Sequence, residues 1–257
     1  MSGTDLAYGY AQARLQARFS SRPVAADWQH IAATRDLGAV LQIARGNALA
    51  RWTSRLPARP GVHEIERRLR DEWLQAVDEV ADWQPEPWRE GTRWVRWITY
   101  LPALQKLARG GRAPAWMRAD PILGPIVARD PRERGPALAH TPLAPLAAGF
   151  TAPPDVRGAW SRHWQTLWPE DRAARAPLER LLRATREHRA RRAAAPDEAT
   201  SQDSLQALEH QLKVLFRRHP LSPVAATAYL GLLALDLRHL RGALAVRALR
   251  EAPVAAP

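Results

Sequence analysis

The side chains whose types and spacing could do chemistry are first of all the acids of one segment. Glu64, Asp71, Asp78 and Asp82 recur at close to seven-residue spacing, with Glu72 and Glu79 beside them. On a helix that spacing sets them along one face. Paired carboxylates act as general acid and base, or hold metal inside a helical bundle. Di-metal bundles also use a Glu-x-x-His pair, which this sequence lacks. Arg67, Arg68 and Arg70 stand among the acids, so a solvated, charge-balanced face describes the same residues and is the reading we adopt.

Other chemistries fail on their own requirements. A zinc-protease helix needs two histidines four apart around a glutamate, whereas His63-Glu64 is followed by Arg67 where the second histidine would stand. The eight histidines are scattered, with no pair at i, i+3 or i+4, and cysteine is absent, which removes disulfides and thiolate chemistry. Gly110-Gly111 is the only adjacent glycine pair, and it closes a helix instead of opening a phosphate loop. No serine sits in a Gly-x-Ser-x-Gly elbow, and neither Ser161 nor Ser204 has a local sign of activation. The expectation is a protein without catalytic residues, metal ligands or cofactor.

A net charge of +12 and a pI near 11.2 invite a nucleic-acid reading, since basic surfaces attract phosphate backbones. Yet Lys106 and Lys213 are the only lysines, and arginine in a chain rich in alanine and proline also follows from GC-rich codon usage. Arg183, Arg186, Arg189, Arg191 and Arg192 spread around their helix instead of lining a groove. Trp160, Trp164 and Trp168, spaced by four, could stack on bases. Their register with Val156 and Leu167 assigns them to a core.

Helical periodicity runs through the chain and no alternating stretch reads as a strand, so the fold class is all-α. A first helix opens near Thr4, with Tyr8, Gln12, Leu15 and Phe19 on one stripe. A second begins near Asp27, and a third at Asp36, a candidate N-cap. Ile65, Leu69, Ala76, Val77, Val80 and Trp83 mark a long amphipathic helix ended by Pro85 and Pro87. The next carries Trp94, Trp97, Ile98, Leu101 and Leu104 inward, with Pro102 kinking or splitting it. Asp155 caps the tryptophan helix, and a basic helix follows to about Arg192. Ala193 to Asp203, small and polar, reads as a mobile linker. Leu205, Leu208, Leu212, Leu215 and Phe216 define another helix, and a long apolar one runs from about Pro223 to Glu251 with Ser222 as its N-cap.

The longest apolar stretch, Val224 to Leu235, is stopped by Asp236, too soon for a membrane span of about 20 residues. Met1 to Gln12 lacks the organisation of a secretory signal. Prolines at 121, 125, 131, 136, 142, 145, 153 and 154 mark a connector with at most short helical pieces. The expected division is an N-terminal helical region (1–120), a proline-rich connector (121–154) and a C-terminal helical region (155–257).

Two segments together resemble the C/d-type family of central-stalk coupling proteins in V-type and archaeal-type rotary ATPases. Tyr8-Gly9-Tyr10-Ala11-Gln12-Ala13-Arg14-Leu15-Gln16-Ala17-Arg18 is similar to that family's opening helix. Tyr229-Leu230, Asp236 and Leu240-Arg241-Gly242-Ala243-Leu244 resemble its closing one. Between them, Glu66 to Val80 and the ending Leu107-Ala108-Arg109-Gly110 stand where the family has an acidic amphipathic helix and an Arg-Gly stop. The chain is shorter than usual and carries Asp236 where glutamate is common.

The resemblance implies a funnel-like assembly of related helical subdomains on the cytoplasmic face of a membrane. There it would join a central shaft protein to the proteolipid ring in an ion-transporting machine, without catalysis of its own. Asp236, Arg238 and Arg241 are the candidate partner contacts, because charge that interrupts an apolar helix must find a partner or reach solvent. The alternatives are an internal ion pair at those residues, and for the whole protein a helical scaffold or adaptor or a basic nucleic-acid-binding protein.

Overall fold

A computed structural model describes residues 3–195 and 197–251, with side chains from residue 6 onward. All regular structure among them is helical. The α-helices are α1 (Gly3–Ser20), α2 (Ala25–Ala33), α3 (Leu37–Arg45), α4 (Ala50–Thr53), α5 (Val62–Trp83) and α6 (Glu86–Trp94). After a 3-10 turn at Val95–Thr99 come α7 (Leu101–Ala108), α8 (Trp116–Ala119), α9 (Gly124–Val127) and α10 (Arg134–Leu138). A second 3-10 segment, Ala144–Phe150, precedes α11 (Val156–Thr166), α12 (Arg172–Ala194), α13 (Glu198–Arg218) and α14 (Pro223–Glu251). Thr4, the candidate first cap, lies inside α1, and its side chain is outside the described set.

Two compact units result. One combines Met1–Arg93 with Asp171–Pro257, and the other is Trp94–Glu170. The boundaries drawn from proline texture differ from these. The stretch 121–154 packs inside the second unit, because apolar residues set between its prolines are buried: Leu123, Ile126, Leu138, Leu143 and Leu146. Each short helix contributes one or two anchors, and Pro125 and Pro145 stand in first turns, where a missing N–H is tolerated.

In the first unit α14 is the central element. Pro223 through Leu230 are buried without exception, as a helix apolar on all sides requires. It packs against α13, α5, α12, α3 and α1. Gly231 lets α13 come close, since a Cβ there would lie 2.9 Å from Leu212 Cδ2. Asp36 caps α3 as its position suggests, accepting from Ala39 N at 2.7 Å. Ser222 does otherwise: its hydroxyl donates back to His219 O at 2.7 Å.

The linker expected over Ala193 to Asp203 is overturned. The helix α12 runs to Ala194 and α13 begins at Glu198, started by Asp197, whose carboxylate accepts from Thr200 N at 2.8 Å. The polar composition that reads as loop is a helix cap and a solvated first turn, with Ser204 buried against His188.

In the second unit Pro102 stands in the first turn of α7, where its missing N–H costs nothing. The chain is split there, with Trp94, Trp97, Leu101 and Leu104 buried and Ile98 half-buried. Asp155 caps α11 through Gly158 N at 2.8 Å. Trp160, Trp164 and Trp168 are buried and packed on one another, at ring separations of 5.3 and 5.0 Å. They are core, with no free face for a base.

Candidate functional site

The charged groups that matter are gathered where the first segment of the chain runs beside α14. Four contacts fix the register. Leu221 N donates to Gln12 Oε1 at 3.1 Å, Arg22 binds Asp236, Trp28 stacks on His239 at 4.2 Å, and Leu37 N donates to Glu251 Oε1 at 2.8 Å. Both numbers climb together, so residues 12–37 run parallel to 221–251. Arg247 adds a fifth tie, donating to Ile31 O at 2.7 Å and to Thr34 O. It thereby adds a donor at the end of α2, where Ile31 O already accepts from Thr34 N at 3.3 Å.

At the middle of this track lies a buried ion pair. Arg22 Nε donates to Asp236 Oδ2 at 2.7 Å and Arg22 Nη2 to Asp236 Oδ1 at 2.8 Å, a two-pronged geometry suited to guanidinium and carboxylate. Their side chains are 9% and 7% exposed. Burial pushes the Asp236 carboxyl up from its ordinary value, while the Arg22 hydrogen bonds and charge pull it back. Glu209 of α13 lies 3.7 Å from Arg22 and binds Lys213 at 2.7 Å. Phe19 and Phe216 stack beside the pair at 4.4 Å, nearly parallel.

Two turns earlier on the same face of α14 sits Tyr229, fully buried. Burial pushes its phenol up to about 12, against the charges of Arg51, Arg18 and Arg22 and with that of Glu79. Glu79 of α5 receives Arg18, and Arg51 at 3.3 Å. The seam therefore runs Arg18, Glu79, Arg51 at one level and Arg22, Asp236, Glu209 at the next.

The three candidate contacts do not share a face. Around α14, Arg238 stands about 200° and Arg241 about 140° from Asp236 at 100° per residue. Asp236 turns to α1 and α13. Arg238, half-buried, has its guanidinium pushed down by burial and by Arg192, with Glu198 pulling it up, so it faces the α12–α13 junction. Arg241 is exposed and pairs with Glu66 of α5. Of the two readings open at Asp236, the structure places an internal ion pair.

Three more of the α5 carboxylates, Glu72, Asp78 and Asp82, are met by arginines from other segments. Glu72 meets Arg55 at 3.3 Å, and Arg93 reaches Asp82 at 2.8 Å and Asp78 at 3.7 Å. No group of three or more metal-ligating side chains exists among the described residues.

Ser204, unremarkable in the sequence, has a histidine partner. His188 Nδ1 lies 2.9 Å from Ser204 Oγ and 3.1 Å from Ser204 O. The backbone carbonyl can only accept, so it fixes a proton on Nδ1, and that nitrogen is no base for the hydroxyl. Both residues are buried, which makes the pair a tie between α12 and α13.

Sequence reading missed Arg22, and it named Glu79 among the acids and Arg18 in the opening segment without pairing them with each other or with Arg51. The available signal was Asp236 itself: a carboxylate on the apolar face of a buried helix requires a cation, and arginine is the usual one. No protein-family model matches the chain, and no curated protein matches it.

Proposed function

We propose that the protein is a non-catalytic coupling subunit of a rotary V/A-type ATPase, joining the central shaft to the proteolipid ring at the cytoplasmic face of the membrane. One observation carries the reading. The two segments whose residues resemble that family's opening and closing helices lie side by side in parallel, tied by Gln12 to Leu221 and by Arg22 to Asp236.

Transmitting torque asks for stiffness in place of reactive groups. A 29-residue helix, buried without interruption over Pro223–Leu230 and tied to its neighbours by charge pairs and aromatic stacking, suits that task. The funnel-like arrangement of helical subdomains and the peripheral attachment through the ring belong to the same proposal. No described helix is long and apolar enough to cross a membrane, so attachment would pass through protein partners.

The test mixes the full chain with the coiled-coil shaft protein and the detergent-solubilised proteolipid ring of the same organism. Stoichiometric co-elution with both is the expected result. Failure to bind either, with all three folded, would sink the reading in favour of a helical scaffold outside any rotary machine.

A further inference from the structure

The Trp94–Glu170 unit contains a crevice of about 310 Å³ lined by Lys106, Arg112, Ala113, Pro114, Ala115 and Arg118. We propose that it binds a phosphate-type anion, either free phosphate or the phosphomonoester end of a larger molecule. The inference is independent of the rotary reading.

The charge balance of the crevice comes first. Three of its lining residues are cations and none is an acid. Elsewhere Arg18, Arg22, Arg51, Arg55, Arg93 and Arg241 all meet carboxylates. The side chains of Lys106, Arg112 and Arg118 have no such partner among the described residues. All three stand exposed around one concavity with no acid among its lining residues, so their combined field draws an anion into it.

The crevice is also built. Its wall is the end of α7, which would normally offer open carbonyls and a negative dipole end. Those acceptors are already occupied: Gly110 N donates to Leu107 O at 3.1 Å and Gly111 N to Lys106 O at 2.9 Å. From beneath, Arg134 donates to Leu107 O at 3.3 Å and to Gly111 O at 3.1 Å. Arg134 is only 6% exposed and has no carboxylate partner among the described residues, so its charge adds to the positive field. Gly110, at φ 75°, turns the chain back, and a Cβ on Gly111 would lie 2.7 Å from both Lys106 Cγ and Lys106 O. That close fit holds the Arg112 backbone against the stem of Lys106.

The hollow is open to solvent, so its volume of about 310 Å³ admits a phosphate group and sets no limit on what that group is attached to. Guanidinium groups match phosphate oxygens in pairs, which makes Arg112 and Arg118 the specificity elements and Lys106 a point charge.

The experiment uses the full chain and two probes at matched ionic strength. Inorganic phosphate is titrated by calorimetry with chloride as the control salt, and co-sedimentation is measured with phosphatidylcholine vesicles with and without phosphatidic acid. The variants are R112Q/R118Q in the crevice and R183Q/R186Q on α12 as a charge-matched control. Saturable phosphate binding that weakens about tenfold or more per guanidinium removed, but survives in the control, supports a free-anion site. Binding to phosphatidic acid vesicles alone, lost in the crevice variant and kept in the control, supports a lipid headgroup. No saturable binding of either probe, or equal weakening in both variants, overturns the proposal.

Discussion

Arg22 and Asp236 stand 214 positions apart in the chain and meet at 2.7 and 2.8 Å through both prongs of the guanidinium. The pair is nearly dry, and a buried pair stabilises little by itself while becoming costly when broken. Asp236→Ala strands a guanidinium and should cost about 3–5 kcal/mol in urea unfolding. Replacing both, as R22M/D236L, should recover most of that loss. A double variant as unstable as the single one would mean that the pair is not the source of the effect.

Tyr229 gives a signature on the alkaline side. Its folded value is pushed up to about 12 from the ordinary 10.0, so the unfolded chain loses this proton first as pH rises. Stability from Tyr229 is therefore complete below pH 10 and declines as pH climbs toward 12. Absorbance of the native phenols near 295 nm should show a step near 12 whose amplitude Tyr229→Phe cuts by about half. Tyr8, also raised to about 12, remains as the internal reference.

His188 gives the opposite slope. Burial pushes it below its ordinary value; the Ser204 carbonyl pulls it up, while Arg238, Arg192 and Arg189 push it further down. The folded protein holds it neutral where the unfolded chain takes a proton, so its contribution is full above about pH 6.5 and is lost as pH falls through the folded value. Protection factors along α12 and α13, corrected for the intrinsic slowing of amide exchange at lower pH, should fall between about pH 7.5 and 5.5, and His188→Gln should flatten that dependence. An unchanged pH slope in the variant would assign the effect to other groups.

For the Trp94–Glu170 unit, Trp164→Ala removes the middle ring of the buried ladder and should cost about 3–5 kcal/mol. Arg162→Ala, exposed on the same helix, should stay within about 0.5 kcal/mol. Comparable losses for the two would argue that the ladder is not a packing core.

Much of the helix inventory was legible because its signals are local. Asp36 and Asp155 are caps recognisable by type and position, Pro102 marks the split at the start of α7, and Pro223 to Glu251 is the observed extent of α14. The α12–α13 junction was misread because Ser, Thr and Asp serve loops and capped helix starts alike, and only the Asp197 to Thr200 hydrogen bond separates the two. The grouping of Met1–Arg93 with Asp171–Pro257 left no local mark. Arg22 was hidden for a related reason: in a chain with 38 Lys and Arg side chains, no local feature distinguishes the one that meets Asp236. The Lys106, Arg112 and Arg118 crevice depends on a backbone reversal at Gly110, which the glycine pair suggested only as a helix end.

The parallel track of residues 12–37 along 221–251 also sets an order of events on the ribosome. Gln12, Arg22, Trp28 and Leu37 are made before the Trp94–Glu170 unit, and their partners Leu221, Asp236, His239 and Glu251 after it. Trp94–Glu170 is contiguous and can close on itself while the N-terminal helices still wait. Its burial precedes completion of the larger unit, whose long-range closure is the slow entropic step. During that interval Arg22 and the apolar stripe of α1 stand open to solvent, and protection from aggregation falls to whatever shields the nascent chain until α14 arrives.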